Sequence, residues 1–156
     1  MTPEIIIPPC TNEKVPAPTV KFHHRLDIQT RFNDIDSFGH LNNNAYFALA
    51  DLGKANYFKA VMGDRFDLRK IAVVIVNVNA SFFSPAYFEE PLAVLTACQK
   101  ISRHSFILEQ RIVNVDTGDV KCVANYVMAG FDVASASGIE IPDDWRQAIA
   151  NFENWQ

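Results

Sequence analysis

Basic clusters are missing from this sequence. Its 14 lysines and arginines are outnumbered by 18 aspartates and glutamates, for a formal charge of -4, and they gather into no extended run. That composition offers neither a nucleic-acid footprint nor a polybasic membrane patch. An anionic ligand therefore has to be met by a few local cations. Cysteine is equally sparse: Cys10, Cys98 and Cys122 form an odd, scattered set without CxxC spacing. No disulfide framework and no metal site are suggested, and a cytoplasmic location is expected. Apolar stretches stay short, with "IAVVIV" among the longest, far below the roughly 20 residues of a membrane span. The N-terminus lacks the basic-then-apolar order of a signal peptide, so a soluble, unexported protein with no membrane or nucleic-acid partner is expected. Internal repeats and low-complexity tracts are absent as well.

What is present fits one compact domain: 156 residues, 49% of them hydrophobic, are enough for a substantial core. Five of the eight prolines (Pro3, Pro8, Pro9, Pro16 and Pro18) fall in the first 18 residues. Proline withholds the N–H donors that helices and sheets need, so residues 1–20 read as an extended arm ahead of a single domain over 21–156. From Phe22 to Phe32 apolar and polar residues alternate, predicting a half-buried strand with His24, Leu26 and Ile28 on one face. A second strand is predicted over 71–83, with Val74, Val76, Val78, Ala80 and Phe82 sharing a face. Segments 92–102, 104–115 and 120–133 are β-rich and separated by turn-like or polar breaks such as "DTGD", which predicts an antiparallel meander. Between the first two strands, "NNAYFALADLGKANYFKAVMG" is too long for a strand. It carries an asparagine N-cap candidate and Gly63 as a C-terminal stop, predicting one helix of about five turns. Its apolar residues exceed one stripe, so most of its circumference is expected to be buried. Gly53 interrupts it, for which a close approach by another backbone is one reading and chance the other. A short amphipathic helix is predicted at "PDDWRQAIANFE".

One strand, a long helix, four strands and a terminal helix is the order expected of an α+β hot-dog fold, in which an antiparallel sheet of about five strands wraps one long helix. Within that frame, "RFNDIDSFGHLNNNAYF" (31–47) resembles the signature of the 4-hydroxybenzoyl-CoA thioesterase-like family of acyl-CoA thioesterases. The shared elements are Asp34, Asp36, Gly39, His40, Leu41, Asn42, Asn43 and Tyr46, with Asp51 five residues further on. The likeness extends through "SFFSPAYFEEPLAV" and "ISRHSFILEQRIVN", covering roughly residues 22–135. It implies hydrolysis of an acyl-CoA to a free acid and CoA without a cofactor. It also implies that Asp36 is the catalytic carboxylate, as nucleophile or as base, and that the backbone amide of Asn43 is the oxyanion donor. The family commonly assembles as homodimers, many of them paired into homotetramers, with the site between chains.

The chemistry suits those residue types. A thioester carbonyl becomes an oxyanion when attacked, and an N–H at a helix N-terminus stabilises charge developing there. A carboxylate beside the carbonyl can attack it or deprotonate water. The remaining candidates have two readings each. His40 orients substrate or water, or else serves the turn. Asp51 faces the substrate side, or else an ion pair or water. Asn42 is a substrate contact or a cap, and Tyr46 an acyl-pocket wall or core. Lys100, Arg103 and His104, around a predicted strand connection, are candidates for the CoA phosphates or plain solvated charge. Two other functions share the fold: a dehydratase or hydratase, for which the His40 to Asp51 spacing is unsuited, and a non-catalytic acyl-CoA-binding protein.

Overall fold

The computed structural model describes residues 1–70 and 72–155; Ile71, at the start of the second predicted strand, lies outside the described residues. The elements are β1 (His24–Ile28), α1 (Asn43–Met62), β2 (Val73–Phe82), β3 (Leu92–Ile101), β4 (Ser105–Asn114), β5 (Val120–Asp132), the two-residue β6 (Ser137–Gly138) and α2 (Asp143–Phe152). The main strands form one antiparallel sheet in the order β1-β3-β4-β5-β2, with β6 on β5. This is the hot-dog architecture: a curled sheet with a long helix against one face. No helix is long and apolar enough to cross a membrane, among the described residues.

The expected alternation is corrected at two places. In β2 a bulge between Ile75 and Asn77 sets two residues against one on β5, which reverses the phase. Val78, Ala80 and Phe82 face α1 as expected. Beyond the bulge it is Ile75, opposite Met128, and buried Val73 that share their face, rather than Val74 and Val76. In β1 the shared face runs only from His24 to Ile28. Phe22 packs on the other side of the sheet, and Phe32 stands exposed in a 3₁₀ turn, Phe32–Asp34.

Helix α1 starts where Asn42 accepts the Asn44 N–H at 2.8 Å and stops at Gly63, whose φ of +60° no other residue adopts cheaply. Its buried residues, Ala45, Tyr46, Ala50, Gly53, Lys54, Tyr57, Phe58, Val61 and Met62, recur every three or four positions. They form one stripe. The burial of most of the circumference expected from composition is not seen: the stripe packs on β1, β3, β4 and α2, and Leu52, outside it, is 56% exposed. Val94, Leu108 and Ile112 lie under the stripe; complete burial of such side chains contributes about 1.5–3 kcal/mol each. At the far end of α1, Phe58 meets Phe106 and the α2 residue Trp145 edge-on.

The opposite sheet face is covered by the chain's own first 20 residues. Ile5, Ile7, Val15 and Val20 pack on Phe22, Leu95, Val113, Val120 and Val123, and the Ile5 N–H donates to the Phe22 carbonyl at 2.7 Å. Strand β3 is thus buried on both faces from Leu92 to Cys98. Under the arm, Glu109 and Arg111 form a buried ion pair at 2.8 Å, and Arg111 also donates to the Pro16 carbonyl at 2.7 Å. Gly118 lets Pro8 approach so closely that a Cβ there would collide with the Pro8 carbonyl.

Gly53 has a packing reason, but the close neighbour is a side chain rather than another backbone. A Cβ at this position would stand 2.6 Å from Val94 Cγ1, so the glycine sets how near α1 lies to β3. Gly53→Ala should lower stability by about 1–3 kcal/mol through overpacking, although alanine favours a helix by about 1 kcal/mol. Denaturant unfolding checks the sign, and adding Val94→Ala should recover part of the loss.

Candidate active site

Everything the sequence singled out between Asp34 and Tyr46 gathers in the loop that feeds α1 and in the first turn of that helix. The 3₁₀ turn Phe32–Asp34 is held by Asp34, which is 6% exposed. It accepts the Arg31 backbone N–H at 2.8 Å and the Arg31 guanidinium at 2.9 and 3.4 Å. Those hydrogen bonds hold the Asp34 carboxyl below its ordinary range. The chain then makes a narrow loop closed by a bridge between Ile35 and Leu41. Across it the Asp36 N–H donates to the His40 carbonyl and the Gly39 N–H to the Asp36 carbonyl, both at 3.0 Å. Gly39 adopts φ +80°, the left-handed conformation such a turn requires.

Two groups in this loop remain free. One Asp36 oxygen, Oδ1, accepts the Phe38 N–H at 2.9 Å; the other makes no hydrogen bond among the described residues. At the start of α1, Asn42 donates to the Asp34 carbonyl, its side chain caps Asn44, and its carbonyl takes the Ala45 N–H. The Asn43 N–H alone in that turn has no acceptor among the described residues. It points along the helix axis with the positive end of the dipole behind it. A carboxylate oxygen and an amide hydrogen, both unengaged, stand at either end of an eight-residue stretch.

A recess of ≈ 330 Å³ opens at the helix N-terminus, walled by His40, Asn43 and Tyr46 on one side and by Phe82, Phe83 and Pro85 on the other. Asp36 shares the turn of His40 but is not one of its walls. Tyr46 is 4% exposed and edge-on to Phe82 at 5.1 Å, and burial pushes its hydroxyl up to about 12. The His40 ring lies edge-on to Tyr87 at 5.4 Å. Phe38, Tyr87 and Phe88 leave much of their apolar surface exposed. Phe82 and Tyr87 were not singled out by the sequence. The Leu41 N–H to Ala86 carbonyl bond that brings them to the helix joins residues 45 apart, and no local signal announces it.

The other candidates lie elsewhere. Asp51 is on the exposed side of α1, paired with Lys54 at 3.1 Å. Buried Lys54 sits 3.5 Å above the Tyr126 ring. Lys100, Arg103 and His104 surround the β3–β4 turn, where Arg103 pairs with Glu140 at 2.6 Å. The recess wall Phe82 is in register, through Cys122 and Ile112, with Val94, and that turn follows Ile101, seven strand steps or about 23 Å along the sheet. Within one chain the cluster and the recess are therefore at opposite ends of the sheet. No group of three or more His, Cys, Asp or Glu is placed to hold a metal, among the described residues.

The chain has recognisable relatives. The family model described as the thioesterase-like superfamily matches residues 30–149. The long-chain acyl-CoA thioesterase FadM of Escherichia coli strain K12 is 26% identical over 128 residues, covering 80% of this chain and 96% of that protein. Among solved structures, a thioesterase complexed with coenzyme A and Zn from Thermus thermophilus superposes with a TM-score of 0.77 at 20% identity, covering 86% of this chain and 97% of the other. A 4-hydroxybenzoyl-CoA thioesterase variant complexed with 4-hydroxybenzoyl-CoA gives 0.72 at 21% identity, covering 80% and 96%. At such identities the structures speak for the fold.

Asp34 has a consequence for acid stability. A depressed folded pKa contributes stability above the unfolded value of about 3.9, and that contribution is lost as pH falls through the folded value. Urea midpoints between about pH 2.5 and 6 should fall more steeply for the wild type than for Asp34→Asn, which lacks the ion pair at every pH.

Proposed function

Because the chain belongs to the thioesterase-like superfamily and is a thioester hydrolase, we propose that it hydrolyses acyl-CoA, with Asp36 and the Asn43 amide as its working groups. The observation that carries this reading is the unengaged Asn43 N–H at the head of α1, at the mouth of a recess and in the same short loop as a carboxylate with one free oxygen. The thioester carbonyl oxygen accepts the Asn43 N–H, so the negative charge that develops there meets an amide and a helix dipole already in position. Asp36 then acts by one of two routes. As a base it takes a proton from water, whose oxygen bonds to the carbonyl carbon. As a nucleophile it bonds to that carbon itself, and water cleaves the resulting anhydride. In both, the C–S bond breaks, the CoA thiolate takes a proton and the free acid leaves. His40 and Tyr46 line the approach, and the Asn42 side chain, engaged as a cap, fixes the turn that aims the amide.

The reaction is tested by thiol release from short, long and aromatic acyl-CoAs, a panel that also identifies the acyl group. Asp36→Asn should lower kcat by several orders of magnitude while leaving the unfolding midpoint nearly in place. Turnover near the wild-type rate would remove Asp36 from the mechanism.

The assembly proposed with this function is a dimer joined along β2, alone or paired into a tetramer. Strand β2 closes one end of the sheet order, and Val74, Ile75, Val76 and Val78 are 37–59% exposed along it. A long apolar edge of that kind is normally covered. The pairing would also close the open side of the recess, whose Phe82 wall is the last residue of β2. Light scattering after size exclusion at low micromolar protein should return at least twice the 17.5 kDa of one chain. A fully active monomer would sink the arrangement.

A further inference from the structure

The N-terminal arm does not fill the outer sheet face completely. Between the arm and strands β3, β4 and β5, on the side of the sheet away from α1 and the recess, lies a cavity of ≈ 520 Å³. Ile5, Ile7, Val15, Val20, Leu95 and Val113 give it apolar walls, and its size falls within the roughly 300–1,000 Å³ of small-molecule sites. The roof is pinned at three points. The Ile5 N–H donates to the Phe22 carbonyl at 2.7 Å, the Pro8 carbonyl lies close against Gly118, and the Pro16 carbonyl accepts Arg111 at 2.7 Å. Between Pro8 and Pro16 the chain turns at Asn12, whose carbonyl takes the Val15 N–H and whose side chain takes the Lys14 N–H. The cavity is therefore preformed. The arm precedes residues 30–149, which match the thioesterase-like model, so the roof belongs to a segment outside that match.

One buried polar side chain interrupts these walls. Arg111, 5% exposed, lines the cavity and makes two hydrogen bonds, from Nε to Glu109 at 2.8 Å and from Nη2 to the Pro16 carbonyl. Its Nη1 makes none among the described residues. Glu109 cannot supply the missing acceptor, because Oε2 is engaged by Arg111 and Oε1 by Gln99 at 2.9 Å. A donor left unmatched beside apolar walls costs free energy. Charge, by contrast, is already balanced: Glu109 neutralises Arg111, and Glu4 faces Lys21, the other cation lining the cavity, at 3.6 Å. A carboxylate ligand would bring its charge towards Glu109, and an ammonium towards Arg111. What the cavity lacks is an uncharged oxygen acceptor.

We propose that this cavity binds a neutral aliphatic carbonyl compound, whose oxygen accepts the Arg111 Nη1 hydrogen and whose hydrocarbon chain packs on Val15, Leu95 and Val113. A few polar groups that fix orientation within an apolar lining are the usual make-up of such a site. Here the lining comes from arm and sheet together, and the one free donor sets the ligand's polar end. The site is separated from Asp36 and Asn43 by the thickness of the sheet. It stands or falls independently of the acyl-CoA reading.

The probe is decanamide, titrated calorimetrically into the full chain at neutral pH, with decanoate and decylammonium as charged counterparts of the same length. Decanamide should bind once per chain and at least tenfold more tightly than either ion. In the complex, nuclear Overhauser contacts from its alkyl protons should reach the methyl groups of Val15, Leu95 and Val113. Two variants keep the test independent of any one substitution. Arg111→Lys retains a cation for Glu109 but loses the second arm of the donor fork, and Val15→Phe fills the cavity. Each should weaken decanamide at least tenfold while thiol release stays at the wild-type rate. The absence of saturable binding, tighter binding of either ion, or retained affinity in both variants overturns the proposal. Overhauser contacts to the rings of Tyr46 and Phe82 in place of those methyl groups put the probe in the recess and overturn it too.

Discussion

Two main-chain hydrogen bonds set where α1 begins, and the site follows from them. The Leu41 N–H is held by the Ala86 carbonyl at 2.8 Å and the Asn42 N–H by the Asp34 carbonyl at 2.7 Å. The first ties the loop to the connection between β2 and β3 and the second to the 3₁₀ turn that Arg31 locks. With both donors engaged, and Asn44 and Ala45 satisfied by Asn42, the first free amide is that of Asn43. A helix always leaves orphan N–H groups at its start. Here the flanking bonds consume the others and leave one, facing a recess.

Much of the fold is legible in the sequence because its signals are local. Asn42 and Gly63 bracket α1, and the helix ends within a residue of where those caps place it. Strands β3, β4 and β5 fall within a residue or two of their alternation and turn cues. The bulge at Val76 is different: β-branched residues fill both sides of it, so nothing in the pattern marks the change of phase. The burial of α1 is likewise misjudged from composition, since exposed Leu52 and buried Tyr57 look alike until the face each presents to the sheet is known. For the site, the loop 34–46 is legible as a unit because its residues are neighbours in sequence. The wall made by Phe82 and Pro85, and the distance of Arg103 from it, depend on sheet topology and strand order.

Charge in this protein is divided by position rather than by amount. The recess end is rich in carboxylates and in cations already paired, whereas the segment between α1 and β2 concentrates cations with few partners. Such a separation along one sheet has little use to a lone chain. It acquires a use when two sheets are laid antiparallel, because each then presents its basic end to the other's acidic one. Complementarity of this kind favours one relative orientation of the two chains as well as their association. In the pairing proposed above, the exposed apolar residues of β2 would supply the contact area and the charges the direction.

The arm that covers the outer sheet face places a constraint on how the chain folds. Pro16 meets Arg111 and Pro8 meets Gly118, contacts about a hundred residues apart. During synthesis the arm emerges well before the strands that receive it, and it can dock only after β3, β4 and β5 have paired. Its prolines keep it from forming a competing helix or strand meanwhile. Until it docks, Leu95, Val113, Val120 and Val123 stay open to solvent and the Glu109–Arg111 pair remains wet. Contacts of this sequence separation are slow to form, and they are what closes the apolar back of the sheet.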